Sequence, residues 1–231
     1  MKTTARLTGF LYFIFAALAI YDYMFAAPQI MVSNDIAASM KNMVTKEFLL
    51  RTTIMGSIIS NILFAIVVLL FYQMLKQVNQ FQARWMVALV MVALPAAFIN
   101  DAIYLTALKI AKGDLLITFS SEQKEAIAGT LLKIRTYSHQ LVTFHWGLWL
   151  IPLAILFYQS GLIPKIFTWL LLINAAGYMI ISVTNILFPE ASPAVMKIVY
   201  PTWFAGEVPL IFWLMIKGVR TNKAVLKTEE Q

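Results

Sequence analysis

Five ionisable side chains interrupt the apolar stretches of this sequence, and they are the groups best placed to do chemistry. They are Asp22, Asp101, His139, His145 and Glu207. Charged groups inside a membrane span are costly and usually face a bundle interior or a water-filled cavity. Each of the five is therefore a candidate for binding a small ligand or an ion.

Residue types and spacing limit the chemistry that these groups can perform. The chain has no cysteine, which excludes thiol redox chemistry, iron–sulfur clusters and cysteine zinc sites. His139 and His145 are six residues apart, so on one helix they point about 120° away from each other and form no ready-made chelating pair. A metal site would need His145 together with Glu207 and Asp101 from other helices. No particular cofactor is indicated.

Glu207 is the group least easily explained as a purely structural residue. It lies between Pro201 and Pro209 and directly follows Gly206. Proline removes a helix hydrogen bond and tends to kink the span, and freed carbonyls beside a carboxylate are tolerated where they line a cavity. We therefore expect Glu207 to belong to a functional site or a buried polar network.

The other four groups have simpler alternative explanations. Asp22 and His139 lie close enough to the interface to be merely solvated, and Asp101 follows Asn100 at a position that a wet helix end would also explain. His145 could equally be a core histidine bonded to one partner.

The composition places these groups in a membrane protein. Of 231 residues, 61% are hydrophobic and 13% are charged, and the mean hydropathy is +0.77. Soluble domains carry about 45–50% apolar and about 25% charged residues. The net charge of +7 comes mostly from residues that flank apolar runs, and no basic stripe with interleaved aromatics is present, so nucleic-acid binding is not expected.

The apolar runs predict an all-α, polytopic bundle, with residues 1–231 forming a single domain in the lipid bilayer. A spanning helix needs about 20 apolar residues. Six runs satisfy this requirement, at about 7–27, 52–75, 85–108, 137–159, 166–188 and 199–216.

The orientation follows from the connections rather than from a count of basic residues, which divide evenly between the two sides. The connections at 76–84 and near Lys165 are short, whereas those on the opposite side are longer and acidic. We therefore expect both termini, with the polar tail 217–231, to be cytoplasmic. At about 1.5 Å per residue, Asp22, Asp101, His145 and Glu207 then lie roughly 8–12 Å below the outer helix ends, and His139 lies near the rim.

Two outer connections are long enough to contain helices of their own. The run Ser33–Asp35 is a plausible cap before a helical stretch over Ile36–Met43. The run Ser120–Gln123 is typical of a capping box, and a helix beginning there could continue into the fourth span.

The C-terminal half resembles a bacterial membrane family catalogued as domain of unknown function 4386. The resemblance rests on the runs Ser160–Lys165, Ile173–Tyr178, Leu187–Pro189, Gly206–Glu207, Phe212–Leu214 and Lys217–Val219. It covers about residues 145–220 by motif, and the rest by helix number alone. The resemblance implies a six-helix membrane protein with no established activity, and it singles out Gly206–Glu207. We expect the protein to lie in the inner (cytoplasmic) membrane.

Three functions are compatible with these observations. The first is a binding protein whose outward-facing polar pocket holds a small ligand or ion, for sensing or for supporting a partner. The second is a small oligomeric transporter or channel. The third is a metal-dependent membrane hydrolase that uses His145, Asp101 and Glu207. Whether the protein is an enzyme, and whether it forms a homo-oligomer or pairs with another membrane protein, both stay open.

Overall fold

Helices make up most of residues 1–220, the part of the chain that the computed structural model describes. The predicted polar tail, 217–231, lies partly outside the described residues. The helices are α1 (Lys2–Ile20), α2 (Ala27–Ile30), α3 (Ile36–Thr45), α4 (Glu47–Leu75), α5 (Gln80–Lys112), α6 (Ser121–Leu148), α7 (Leu150–Ser160), α8 (Lys165–Leu187) and α9 (Ser192–Ile216). A π-helical segment (Tyr21–Ala26) joins α1 to α2, and a 3-10 turn (Pro189–Ala191) precedes α9.

Six continuous helical segments are long and apolar enough to cross a bilayer, which confirms the predicted six-helix, all-α membrane protein. They are Lys2–Ile30, Glu47–Leu75, Gln80–Lys112, Ser121–Ser160, Lys165–Leu187 and Pro189–Ile216. Most are longer than the predicted spans, because apolar runs mark the hydrocarbon-spanning part and a helix continues until a cap or breaker ends it. Exposed apolar side chains such as Ile59, Val92, Trp169 and Ile180 contact lipid.

Both predicted loop helices are present, with the predicted caps. The Asp35 carboxylate accepts a hydrogen bond from the Ala38 N–H at 2.7 Å, and α3 follows. At the start of α6, the Ser120 Oγ accepts from the Gln123 N–H at 3.3 Å while the Ser120 N–H donates to Gln123 Oε1 at 2.9 Å. This reciprocal capping box begins the helix that continues into the fourth span, as expected.

A Schellman motif ends α5. The Gly113 N–H donates to the Ile110 carbonyl and the Asp114 N–H donates to the Lys109 carbonyl, both at 3.0 Å. Gly113 has a φ of 83°, a left-handed conformation that glycine adopts without a Cβ penalty. The Lys109 ammonium then pairs with the Asp114 carboxylate at 2.8 Å, and this hydrogen bond lowers the pKa of Asp114.

Two helices are interrupted just before a proline. The π-helical segment ends two residues before Pro28, and α6 gives way to α7 at Trp149, three residues before Pro152. Proline donates no backbone hydrogen bond, and its ring crowds the carbonyl four residues earlier. The fourth span thus consists of two helices, α6 and α7, with a one-residue interruption at Trp149.

By packing, the chain divides into two compact units. Unit 1 contains Met1–Ile14, Leu63–Ala93 and the chain from Gln140 onward, and unit 2 contains Phe15–Ile62 and Leu94–His139. Helices α1, α4, α5 and α6 each contribute residues to both units. The single domain expected for residues 1–231 stays a prediction.

Each unit has its own core. In unit 1, α8 packs against α7 and α9, and edge-to-face aromatic contacts join Tyr12 to Phe71 and Trp149, Phe64 to Trp149, and Phe71 to Phe157. Such pairs stabilise beyond the area that they bury. In unit 2 the buried apolar cluster consists of Ile30, Met43, Leu50, Tyr104, Ala107, Leu108 and Leu132.

Helix α1 approaches α9 closely at Gly9. A Cβ at this position would lie 2.6 Å from the Met215 backbone nitrogen and 2.8 Å from the Leu214 Cβ. Small residues allow such close backbone approach between membrane helices. Gly56, in contrast, would place a Cβ no nearer than 3.9 Å from Leu18.

We expect Gly9→Ala to destabilise the protein and Gly56→Ala to leave it unchanged or slightly more stable. Overpacking costs about 1–3 kcal/mol, which exceeds the gain of up to about 1 kcal/mol from replacing a helical glycine with alanine. Thermal unfolding in detergent should therefore show a midpoint lower by several degrees for Gly9→Ala alone. Equal midpoints for the two variants would contradict the close approach of α1 to α9.

Candidate functional site

The five candidate residues divide between the two units. Asp22, Asp101 and His139 belong to unit 2, and His145 and Glu207 belong to unit 1. Within residues 1–220, no three His, Asp or Glu side chains form a group that could hold a metal ion. The metal site suggested for Asp101, His145 and Glu207 draws on both units, and it stays a prediction.

In unit 1, Glu207 is the centre of a hydrogen-bonded network that joins three helices. The Tyr12 hydroxyl of α1 donates to Glu207 Oε2 at 2.7 Å, and the Asn174 amide of α8 donates to Oε1 at 2.9 Å. Tyr12 and Asn174 are fully buried. Both carboxylate oxygens therefore have a partner from another helix, which is the buried network expected for Glu207.

Close packing holds this network in place. Gly206 allows α9 to approach α8, since a Cβ there would lie 2.4 Å from the Asn174 Cβ. The Tyr12 ring is held edge-to-face by Phe71 and Trp149, at centroid distances of 6.1 and 6.3 Å. The geometry therefore directs the Tyr12 hydroxyl and the Asn174 amide onto one carboxylate.

His145 lies in the last turn of α6 and is partly buried. The side chains that hydrogen-bond Glu207 are Tyr12 and Asn174 rather than His145. His145 and Glu207 thus share a unit, but the described contacts do not join them.

Unit 2 contains a second polar cluster, which we call the Asp–Arg cluster, formed by Asp22, Ser57, Asp101, Tyr104 and Arg135. The Arg135 guanidinium lies 4.3 Å from the centroid of the Tyr104 ring. The same guanidinium acts electrostatically on both carboxylates, and the Ser57 hydroxyl donates a hydrogen bond to Asp101. The cluster therefore joins α4, α5, α6 and the π-helical segment.

The π-helical segment brings Asp22 into this cluster. The Ala27 N–H donates to the Asp22 carbonyl, five residues earlier, so the turn is wider than an α-helical one. Such segments are rare and occur often at functional sites. Pro28 supplies a physical cause, because it cannot donate the next helix hydrogen bond.

Four polar atoms of the Asp–Arg cluster are buried without a hydrogen-bond partner among the described residues. They are Asp22 Oδ1, Asp101 Oδ2, the Tyr104 hydroxyl and Arg135 Nε. Asp101 is 8% exposed and Tyr104 is 1% exposed. An unsatisfied buried polar group costs about 1–3 kcal/mol, so four such atoms in one cluster carry a considerable energetic cost.

His139 lies one turn after Arg135 on α6, and the Arg135 charge acts on it. Its side chain is exposed at the surface of the helix. Both explanations of His139, a solvated group near the interface and a ligand-binding residue, stay predictions.

Sequence reasoning missed most partners in both networks. Arg135, Tyr12, Ser57, Tyr104 and Asn174 are not among the five candidates that the sequence indicates. A buried tyrosine normally needs a partner for its hydroxyl, so tyrosines within spans carry a usable signal. Asparagines within spans carry another, because they often bond across helices, as Asn174 does.

Comparison with known proteins identifies the family. A model of the family described as Domain of unknown function (DUF4386) matches residues 7–218. The chain belongs to this family. The match extends the resemblance seen in residues 145–220 to nearly the whole described chain. No curated protein and no solved structure matches the chain.

Within this family member, the Tyr12–Glu207 hydrogen bond should show measurable energetic coupling. We expect a double-mutant cycle of Tyr12→Phe and Glu207→Gln to give a coupling of about 1–2 kcal/mol, since polar bonds in membrane proteins average about 0.6 and reach about 1.7 and a charged acceptor strengthens the bond. Unfolding in denaturant measures each variant.

The matched control pairs Glu207→Gln with Tyr21→Phe, because Tyr21 is an exposed tyrosine of the same span. This cycle should give a coupling near zero. Equal coupling in the two cycles would argue against a specific bond between Tyr12 and Glu207.

Proposed function

We propose that this integral membrane protein binds a small polar ligand at the Asp–Arg cluster of unit 2. The observation that carries the proposal is the group of four buried polar atoms without partners: two carboxylate oxygens, one hydroxyl and one guanidinium N–H. Such groups in native proteins call for an explanation, and a bound molecule with matching donors and acceptors is one.

A membrane makes buried polar groups without partners more costly. Unsatisfied polar groups cost several kcal/mol in hydrocarbon, where water is absent. A ligand that bonds to Asp22, Asp101, Tyr104 and Arg135 would recover part of that cost on binding. Binding free energy and the stability of the bundle should therefore be linked.

The Glu207 network supports a structural role better than a binding role. Both of its carboxylate oxygens are already bonded, and its partners come from α1 and α8. Glu207 therefore stabilises helix packing in unit 1. Buried atoms without partners also occur elsewhere in residues 1–220, for example Asn174 Oδ1 and Thr168 Oγ1, but the Asp–Arg cluster brings four of them together with two carboxylates and a guanidinium.

We further propose that the protein lies in a bacterial inner membrane with both termini cytoplasmic, so that the Asp–Arg cluster is nearer the outer side. The short connection between α4 and α5 is then cytoplasmic, and the loop between α5 and α6 is external. Because the chain has no cysteine, single introduced thiols can test this orientation.

We expect Ile117→Cys to react with a membrane-impermeant maleimide added to intact spheroplasts, and Gln77→Cys to react only after permeabilisation. Ile117 is 77% exposed in the α5–α6 loop, and Gln77 is exposed between α4 and α5. The opposite labelling pattern would reverse the proposed orientation.

Ligand binding is tested by thermal shift on the purified protein with methylammonium chloride, urea and sodium acetate as cationic, neutral and anionic probes. At a concentration tenfold above Kd, a ligand stabilises by about 1.4 kcal/mol, or about 3–6 °C for a chain of this size. We expect at least one probe to raise the unfolding midpoint of the wild-type protein.

We expect Asp101→Asn to lose this shift, because it removes the charge of a cluster carboxylate while keeping its shape. The matched control is Asp114→Asn, which alters an exposed loop carboxylate paired with Lys109 and should keep the shift. A shift that both variants retain would place binding elsewhere, and no shift with any probe would contradict a ligand site.

A further inference from the structure

We infer that the ligand of the Asp–Arg cluster is a small organic cation that carries an ammonium group with N–H donors. This inference rests on the proposed binding function and specifies its ligand class. It comes from the charge, the hydrogen-bonding groups and the ring packing of the cluster.

The charge of the cluster favours a cation. Asp22 and Asp101 contribute two negative charges and Arg135 contributes one positive charge, so the cluster has a formal charge of −1. In the described part of the chain, the ion pairs within 4 Å join Glu47 to Arg51 and Lys112, and Lys109 to Asp114; none involves Asp22 or Asp101. A monovalent cation neutralises the cluster, whereas an anion adds to its negative charge.

The hydrogen-bonding groups of the cluster favour a ligand with N–H donors. The atoms without partners are three oxygens, on Asp22, Asp101 and Tyr104, and a single N–H, on Arg135. Oxygen acceptors are therefore in excess. A primary ammonium group has three N–H donors and no acceptor, which is the complement of three oxygens. Asp101 and Tyr104 lie three residues apart on α5, so their side chains are neighbours about one turn apart, a spacing suited to a small cation.

The packing of the Tyr104 ring disfavours a fully methylated ammonium ligand. Quaternary ammonium ligands are usually bound over the faces of aromatic rings. In this cluster the Arg135 guanidinium already lies 4.3 Å from the Tyr104 ring centroid. The cation must then be held by hydrogen bonds to oxygen, which favours an ammonium group with N–H donors over a fully methylated one.

Divalent metal ions fit the cluster poorly. Calcium takes six to eight oxygen ligands, and magnesium requires near-ideal octahedral geometry. Asp22 and Asp101 are the two carboxylates of the cluster, and residues 1–220 contain no group of three His, Asp or Glu side chains suited to a metal. An ammonium ion requires fewer oxygens and a looser geometry.

The test compares methylammonium, tetramethylammonium and potassium chlorides at equal ionic strength, by thermal shift and by isothermal titration calorimetry on the protein in nanodiscs. We expect methylammonium to raise the midpoint by several degrees and the other two cations to have little effect. Asp22→Asn and Asp101→Asn should each weaken methylammonium binding at least tenfold, and Asp114→Asn should leave the affinity unchanged.

Tyr104→Phe provides a second variant in case an aspartate substitution prevents folding. It removes one unpartnered hydroxyl and keeps the ring that packs against Arg135, so we expect methylammonium affinity to fall several-fold. Circular dichroism and size-exclusion chromatography establish which variants are folded. Unchanged affinity in every folded variant would overturn the site.

The other outcomes separate this inference from the proposed function. Binding of urea or acetate that depends on Asp101, without binding of methylammonium, would overturn the ammonium inference and leave the ligand site intact. Equal responses to potassium and methylammonium would overturn the N–H requirement in favour of a simple cation site. No binding by any probe would overturn both proposals.

Discussion

A polar group inside a membrane must find its partner within the protein, because the surrounding hydrocarbon offers none. This constraint explains the helical architecture, in which the spanning backbone satisfies its own hydrogen bonds. It also explains the different character of the two polar clusters. In unit 1 the Glu207 carboxylate accepts hydrogen bonds from Tyr12 and Asn174, and these bonds link three helices. In unit 2 the Asp–Arg cluster keeps four buried atoms without partners.

Irregular backbone occurs beside the Asp–Arg cluster, as the same constraint would lead one to expect. Proline and π-helical turns free backbone groups, which are tolerated at membrane depth only where other groups satisfy them or where they line a cavity. The π-helical segment contains Asp22 and ends shortly before Pro28. Glycine has the opposite use in unit 1, where Gly9 and Gly206 allow helices to pack so closely that a Cβ would collide with a neighbour. Irregular backbone therefore accompanies a polar cluster in one unit, and glycine permits tight helix packing in the other.

Much of the fold was accessible from the sequence because its signals are local. Apolar runs predicted six spans, and the runs Ser33–Asp35 and Ser120–Gln123 predicted two helix starts. Each signal acts through the hydrogen bonds of neighbouring residues or through transfer of a continuous segment into lipid. The predicted spans were shorter than the observed helices, as for α5 at Gln80–Lys112. Hydropathy reports where the lipid begins, and it does not report where a helix is capped.

The partners of the candidate site residues could not be predicted from the sequence. Residue types and their spacing were enough to assign the class of protein and its family resemblance, and to mark Glu207, whose flanking glycine and prolines are visible in the chain. The packing of the helices was needed to show that Asp22 and Asp101 fall in one unit while His145 and Glu207 fall in the other, and that Arg135 and Tyr104 join the first pair. These groupings could not be predicted because a side chain's partners lie on other helices, far away in sequence. Their identity depends on helix rotation and packing, which hydropathy and residue spacing do not encode.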